Sequence, residues 1–248
     1  MTPQATSARV HAASLPRCAI GASRAALIAF PFVFPFTGGP SPNVWQQLAA
    51  WLCAALLVLL PPSARPTRGV TTWLAAAGLL VVFGQSGNSM LHVSAAVASV
   101  AIGLAACAGA AVARLQSAGY RALAHALLTA ALISALLGLL QYYGLAAPLA
   151  PWTTSPELGQ AYGNLRQRNQ FATLISMALI AALWLHASGG QRLRMALLPA
   201  WLLLVLAAAA ATSRTGLLQV VLISGIAAFL AWRERRRPAL RRQLPHPW

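Results

Sequence analysis

Aspartate and lysine are both absent from this 248-residue chain, and glutamate occurs only as Glu157 and Glu234. Charged residues of every kind make up 8% of it, against roughly 25% in an ordinary soluble domain. That scarcity excludes a water-soluble globular fold. The lack of an acid inside any apolar run also counts against proton-coupled transport, which commonly uses acidic or histidine relays within helices. Cysteine is scarce as well, and Cys18, Cys53 and Cys107 lie in or beside apolar segments with no CxxC pairing. They read as small buried hydrophobes rather than as a disulfide framework. No His, Cys or carboxylate cluster has the spacing of a metal site, and no glycine-rich nucleotide loop appears. Neither a metal nor any other cofactor is expected.

What remains is apolar. Hydrophobic residues make up 58% of the chain and the mean hydropathy is +0.66. Several runs reach the ~20 residues that cross a bilayer. The fold class expected is an all-α polytopic transmembrane bundle of about eight helices. The crossings fall near 20–37, 44–60, 70–85, 90–113, 121–143, 169–187, 195–212 and 215–232. Pro31 and Pro35 imply a bend or an early end in the first, because proline removes a helix hydrogen bond. Small residues crowd the fourth from Ala95 to Ala113, which reads as close helix packing. The chain divides into an amino-terminal tail (1–19), a membrane domain (20–232) with an external loop at 144–168, and a basic tail (233–248). The early arginines Arg9, Arg17 and Arg24 resemble a signal peptide. The run behind them has no usual cleavage site, so a retained first helix is expected.

All 18 basic residues are arginine, and the formal net charge is +16. They sit in short clusters between apolar runs, whereas a nucleic-acid surface would be a continuous basic face on a soluble domain. Nucleic acid is not an expected partner; the membrane is. With both termini in the cytoplasm, 15 of the 18 arginines fall on the cytoplasmic side, as the positive-inside rule requires. The external side keeps only Arg166, Arg168 and Arg214.

Those three exceptions lie in the two most polar external segments. Arg166 and Arg168 stand in Tyr162-Gly-Asn-Leu-Arg-Gln-Arg-Asn-Gln-Phe-Ala-Thr173, at the end of the longest loop; Arg214 stands in Thr212-Ser-Arg-Thr-Gly216, a segment short enough to be a tight turn or break. Guanidinium groups grip phosphate through bidentate, charge-assisted hydrogen bonds. Asn164, Gln167, Asn169 and Gln170 add amides beside them. Charge at a membrane boundary must face water, protein or an ionic ligand. The pattern therefore fits a site for an anion carried in the membrane; the alternative is a topological anchor. Trp152 and Tyr162 in the same loop read as interfacial aromatics. Glu157 and His92 are the external acid–base candidates, and each also reads as an ordinary solvated or packed side chain. The anion site has no convincing base beside it.

At these segments the sequence resembles the O-antigen ligase superfamily, most closely its bacterial protein O-oligosaccharyltransferase branch. The features are Gly163-Asn-Leu-Arg-Gln-Arg-Asn-Gln-Phe-Ala172, then Ser213-Arg-Thr-Gly216 one helix hairpin later. Gln141-Tyr-Tyr-Gly-Leu145 and the early Pro31-Phe-Val-Phe-Pro-Phe36, followed by Pro42 and Trp45, add to the likeness, which spans roughly residues 25–230. The resemblance implies a bacterial inner-membrane enzyme working at the periplasmic face without nucleotide or metal. It would take a glycan from undecaprenyl pyrophosphate and join it to a hydroxyl on a protein Ser/Thr or on lipid A core. Arg166, Arg168 and Arg214 would lie near the donor pyrophosphate as catalytic groups. Asn164, Gln167, Asn169, Gln170 and Ser213 would form the substrate pocket, although many relatives carry histidine where this chain has Gln170. Relatives also continue through further helices and a large periplasmic loop that supplies a catalytic histidine. The expectation is thus an amino-terminal portion whose partner is a missing carboxy-terminal half. The alternatives are an O-antigen polymerase using the same donor, and a lipid-linked glycan binder or transport component that is not an enzyme.

Overall fold

The structure, a computed structural model, describes residues 17–36, 43–61, 68–83 and 89–241. Among them are eight α-helices and no strand. They are α1 (Arg17–Ala29), α2 (Val44–Leu59), α3 (Arg68–Phe83), α4 (Ser89–Ala113), α5 (Ser117–Tyr142), α6 (Arg168–Ser188), α7 (Gln191–Ala210) and α8 (Arg214–Arg241). Five contain stretches long and apolar enough to cross a membrane: Ser94–Ala113, Ser117–Tyr142, Arg168–Ser188, Gln191–Ala210 and Arg214–Arg233. The protein is an all-helical, multi-pass membrane bundle.

The first expected crossing is shorter than its apolar run. α1 stops at Ala29 and Phe30–Phe32 continues as one 3-10 turn with Pro31 at its start. Proline supplies no N–H for the next helical bond, so the apolar run outlasts the helix. Asn43 then opens α2, its Oδ1 accepting from the backbone N–H of Trp45 at 3.0 Å and of Gln46 at 3.4 Å. The last helix errs the other way, since α8 continues past Trp232 to Arg241. The basic tail therefore begins as helix. Arginine is a good helix former, so leaving the apolar run does not end the helix.

α5 and α6 form the centre of the bundle. α5 packs against α1, α6 and α7, and α6 also packs against α8. Their shared core is built of alanines (Ala130, Ala131, Ala135, Ala178, Ala182, Ala207) around Phe171, Ile175 and Leu204, all buried. Where lipid is as apolar as leucine, such small side chains favour association by letting helices approach closely. Phe171 fills the space left by Gly138, where an added Cβ would sit 2.7 Å from the ring. A second cluster joins Leu57 of α2 to Ala108 and Val112 of α4 against Leu27 and Ile28 of α1. Within α4, Gly103 lies against the Leu74 side chain of α3, in keeping with the packing role read for its small residues. Cys53 is buried and Cys107 half-buried, both unpaired; the side chain of Cys18 lies outside the described residues.

The ends of the helices gather at two faces. One face carries the ends of α1, α5 and α7, the starts of α2, α6 and α8, and the segment 143–167. Contacts across it include Gln46 Nε2 donating to Pro31 O at 2.9 Å and Asn164 Nδ2 donating to Phe34 O at 3.1 Å. At the opposite face Arg24, though nearly fully buried, donates to the carbonyl of Pro61. This arginine thus ties α1 to the end of α2, in addition to any part it plays in orienting the chain. Arg194 there donates through Nε to His186 O at 3.1 Å.

Candidate functional site

The segment between α5 and α6 is long for a connection, and one side chain organises it. Gln141, fully buried in the last turn of α5, accepts through Oε1 from the N–H of Tyr162 at 3.1 Å and of Gly163 at 2.8 Å. Its Nε2 faces Thr153 Oγ1 (3.0 Å), Gly163 O (3.0 Å) and Thr154 O (3.2 Å). A buried amide with both ends engaged in this way fixes the loop it holds. Gly163 is held close against Ser134 of α5 with φ +57°, a left-handed conformation that suits glycine. Asn164 is the second pin. Its Nδ2 donates to Phe34 O and to Trp152 O, both at 3.1 Å, so it joins the loop to the turn after α1. Asn164 is buried and its donors are taken by carbonyls; it shapes the site through the backbone it holds.

Arg166 follows with φ +58°, and Thr212, in the α7–α8 turn, has φ +47°. Left-handed backbone costs a non-glycine residue roughly 1–2 kcal/mol, so the surrounding contacts must hold both in place. Such outliers gather at functional sites. The turn at 211–213 is tight, as expected, and leads directly into α8.

The starts of α6 and α8 are bound to each other. Ser213 Oγ donates to Asn169 Oδ1 at 2.8 Å and accepts from Gly216 N–H at 3.1 Å, which caps α8. Arg168 Nη1 reaches Thr212 Oγ1 at 3.5 Å. Below this rung, Gln219 bridges Thr173 (3.3 Å) and Ser176 (3.0 Å) of α6. Gly216 packs on Ala172, where an added Cβ would meet the Ala172 methyl at 2.6 Å. The helices can approach this closely because both positions are small. Arg168 and Arg214 are therefore the first residues of two adjacent helices, both exposed at one face. Arg214, Thr212 and Ser213 line a cavity of about 390 Å³ between α7 and α8, whose other walls are apolar: Val205, Leu217 and Val220 among them.

Arg166 sits elsewhere. With Gln167 and Gln170 it lines a separate groove of about 230 Å³ against Pro31, Phe32 and the first turns of α2. The eight residues singled out in the sequence thus fall into two neighbouring sets around the start of α6. Arg168, Asn169, Ser213 and Arg214 form one; Arg166, Gln167 and Gln170 form the other, and Asn164 lies beneath as a pin. Gln141 is the residue whose role sequence reasoning missed. The Gln-Tyr-Tyr-Gly pattern marked its position, but a buried amide bonded to a residue 22 positions away has no local signature. Glu157 is exposed and accepts from Gln160 Nε2 at 3.2 Å. The side chain of His92 lies outside the described residues. Trp152 is exposed and stacks toward Phe36 with ring centroids 6.2 Å apart. Among the described residues no group of three or more His, Cys, Asp or Glu could hold a metal ion.

The sequence model of one family, described as protein glycosylation ligase, matches residues 161–186. The match begins at the loop end clamped by Gln141 and runs through α6 almost to its end. No curated protein and no solved structure matches the chain. Over this stretch the chain is similar to the glycan-transferring ligases, and the match supports a ligase role of that general kind.

Proposed function

We propose that this protein takes part in moving a glycan from undecaprenyl pyrophosphate to a hydroxyl acceptor, a protein Ser/Thr or lipid A core, at the periplasmic face of the bacterial inner membrane. The observation that carries the proposal is the pairing of Arg168 and Arg214 as first residues of two helices fastened by Asn169 and Ser213. Two guanidinium groups and two helix amino termini then lie at one membrane boundary, and each favours an anion. The matched family stretch includes Arg168, which supports a glycan-bearing lipid as the source of that anion.

In the transfer, the acceptor oxygen forms a bond to the anomeric carbon as the bond from that carbon to the pyrophosphate oxygen breaks. The electron pair leaves with the lipid pyrophosphate, and the proton of the acceptor hydroxyl passes to solvent water. Negative charge thus grows on the leaving group. Fixed guanidinium groups stabilise such charge without reorganising during the step. Lysine retains the positive charge but loses the planar fork.

The test is binding of an undecaprenyl-pyrophosphate glycan to the purified protein in lipid nanodiscs. Arg168→Lys and Arg214→Lys should weaken it about tenfold each, the loss of one charge-assisted hydrogen bond of roughly 1.5 kcal/mol. Arg68→Lys, at the opposite face, should leave it unchanged. Equal affinity in all three variants would reduce Arg168 and Arg214 to structural anchors.

A further inference from the structure

The groove that holds Arg166 has a composition unlike the rest of the molecule. The chain has four asparagines and twelve glutamines. Five of these amides, Asn43, Gln46, Gln47, Gln167 and Gln170, line this one groove. They arrive from two segments far apart in sequence, the start of α2 and the start of α6. Helix-boundary amides that merely faced water would have no reason to converge.

The five divide into a fixed floor and an open rim. Asn43 spends its side chain on capping α2 and on Phe36 O at 2.5 Å. Gln46 is held by its Nε2 on Pro31 O, which leaves its Oε1 as an acceptor. Gln47, Gln167 and Gln170 are exposed and their amides bond to nothing among the described residues. Gln167 even occupies the N-cap position of α6 without capping it, so the helix makes no use of its amide. A carboxamide offers donors and acceptors in equal measure. A phosphate calls for donors alone, so an amide-lined groove is the wrong lining for the anion itself. It suits a neutral polyol, whose adjacent hydroxyls both give and accept hydrogen bonds. Pro31, Phe32 and Ala50 supply apolar wall for its C–H faces.

We infer that this groove is a glycan subsite, which takes neutral sugar hydroxyls beside the Arg168–Arg214 anion site and reads the sugar that the pyrophosphate carries. The inference rests on the glycan-transfer reading above and assigns it a recognition element. Arg166, which also lines the groove, would face the junction between sugar and pyrophosphate.

The experiment compares two probes on the full chain in nanodiscs: a polyprenyl pyrophosphate, and the same lipid bearing a neutral disaccharide. The chain should bind the glycosylated probe about tenfold more tightly, the worth of one or two neutral hydrogen bonds. Gln47→Ala should remove most of that preference and leave affinity for the bare lipid unchanged. Because this amide bonds to no described residue, the variant should melt like the parent. Retained preference in the variant, no preference in the parent, or equal loss for both probes would overturn the subsite. Should the parent bind neither lipid, the glycan-transfer reading fails by itself. Saturation transfer from the protein to the free disaccharide then decides the groove separately: transfer lost in the Gln47→Ala variant supports it, and transfer absent or unchanged overturns it.

Discussion

Replacing Gln141 with alanine should damage this protein more than replacing any of its exposed arginines. The side chain is fully buried and its two ends engage five groups of the loop. Removing it strands the N–H groups of Tyr162 and Gly163, of which the second bond lies wholly in the interior. Each buried group left without a partner costs about 1–3 kcal/mol. Two such groups give about 2–6 kcal/mol, and the cavity adds to that. A loss of about 4 kcal/mol would be large for a point mutation. Water entering the opened space would lower it, so about 3 kcal/mol is the expected outcome. Gln141→Glu separates shape from hydrogen bonding. A carboxylate still accepts from the two N–H groups, but its second oxygen then faces the carbonyls of Thr154 and Gly163 without a proton to give. That variant should therefore be nearly as damaging as alanine. The assay is thermal unfolding in detergent combined with limited proteolysis across residues 144–167, which the parent should resist and both variants should not. A Gln141→Ala protein with parental melting and an equally protected loop would refute the reasoning, and with it the idea that this residue positions Arg166 and Arg168.

Gly216→Ala should force α6 and α8 apart, because the new methyl meets Ala172 at 2.6 Å; overpacking of this kind costs about 1–3 kcal/mol, and a variant with parental melting would show that the pair can slide. Phe171→Ala should cost about 3–5 kcal/mol by emptying the space beside Gly138, measured by chemical unfolding in detergent. Reporter fusions near Gly159 and Gly190 should read periplasmic and cytoplasmic respectively, following the division of the arginines; the same side for both would overturn that orientation and the standing of the external arginines.

Much of the helix layout could be read in advance because insertion and helix formation leave periodic, local marks. The six helices after α2 start and end within a few residues of the apolar runs, except where helix continues beyond them. α5 begins at Ser117, four residues before the apolar run, and α8 carries on into the arginines. Hydropathy reports where a chain meets lipid, whereas hydrogen bonding decides where a helix ends. Those two limits coincide where a cap lies at the boundary, as Asn43 does, and they part where a proline ends the helix inside the apolar run, as Pro31 does.

The site was legible in a different and narrower sense. Three arginines that break the charge bias are visible in the sequence, since that bias is a sum over positions and needs no contacts. Their grouping is not visible. Arg166 and Arg168 are two residues apart, yet Arg166 takes a left-handed backbone and lines the amide groove while Arg168 turns toward Thr212. Arg168 and Arg214 are far apart in sequence and share one face because Ser213 and Asn169 fasten two helix starts. What separates the first pair and joins the second is one backbone torsion and one hydrogen bond. The torsion follows directly on the loop that Gln141 clamps, so the placing of Arg166 rests on a neutral residue beneath it.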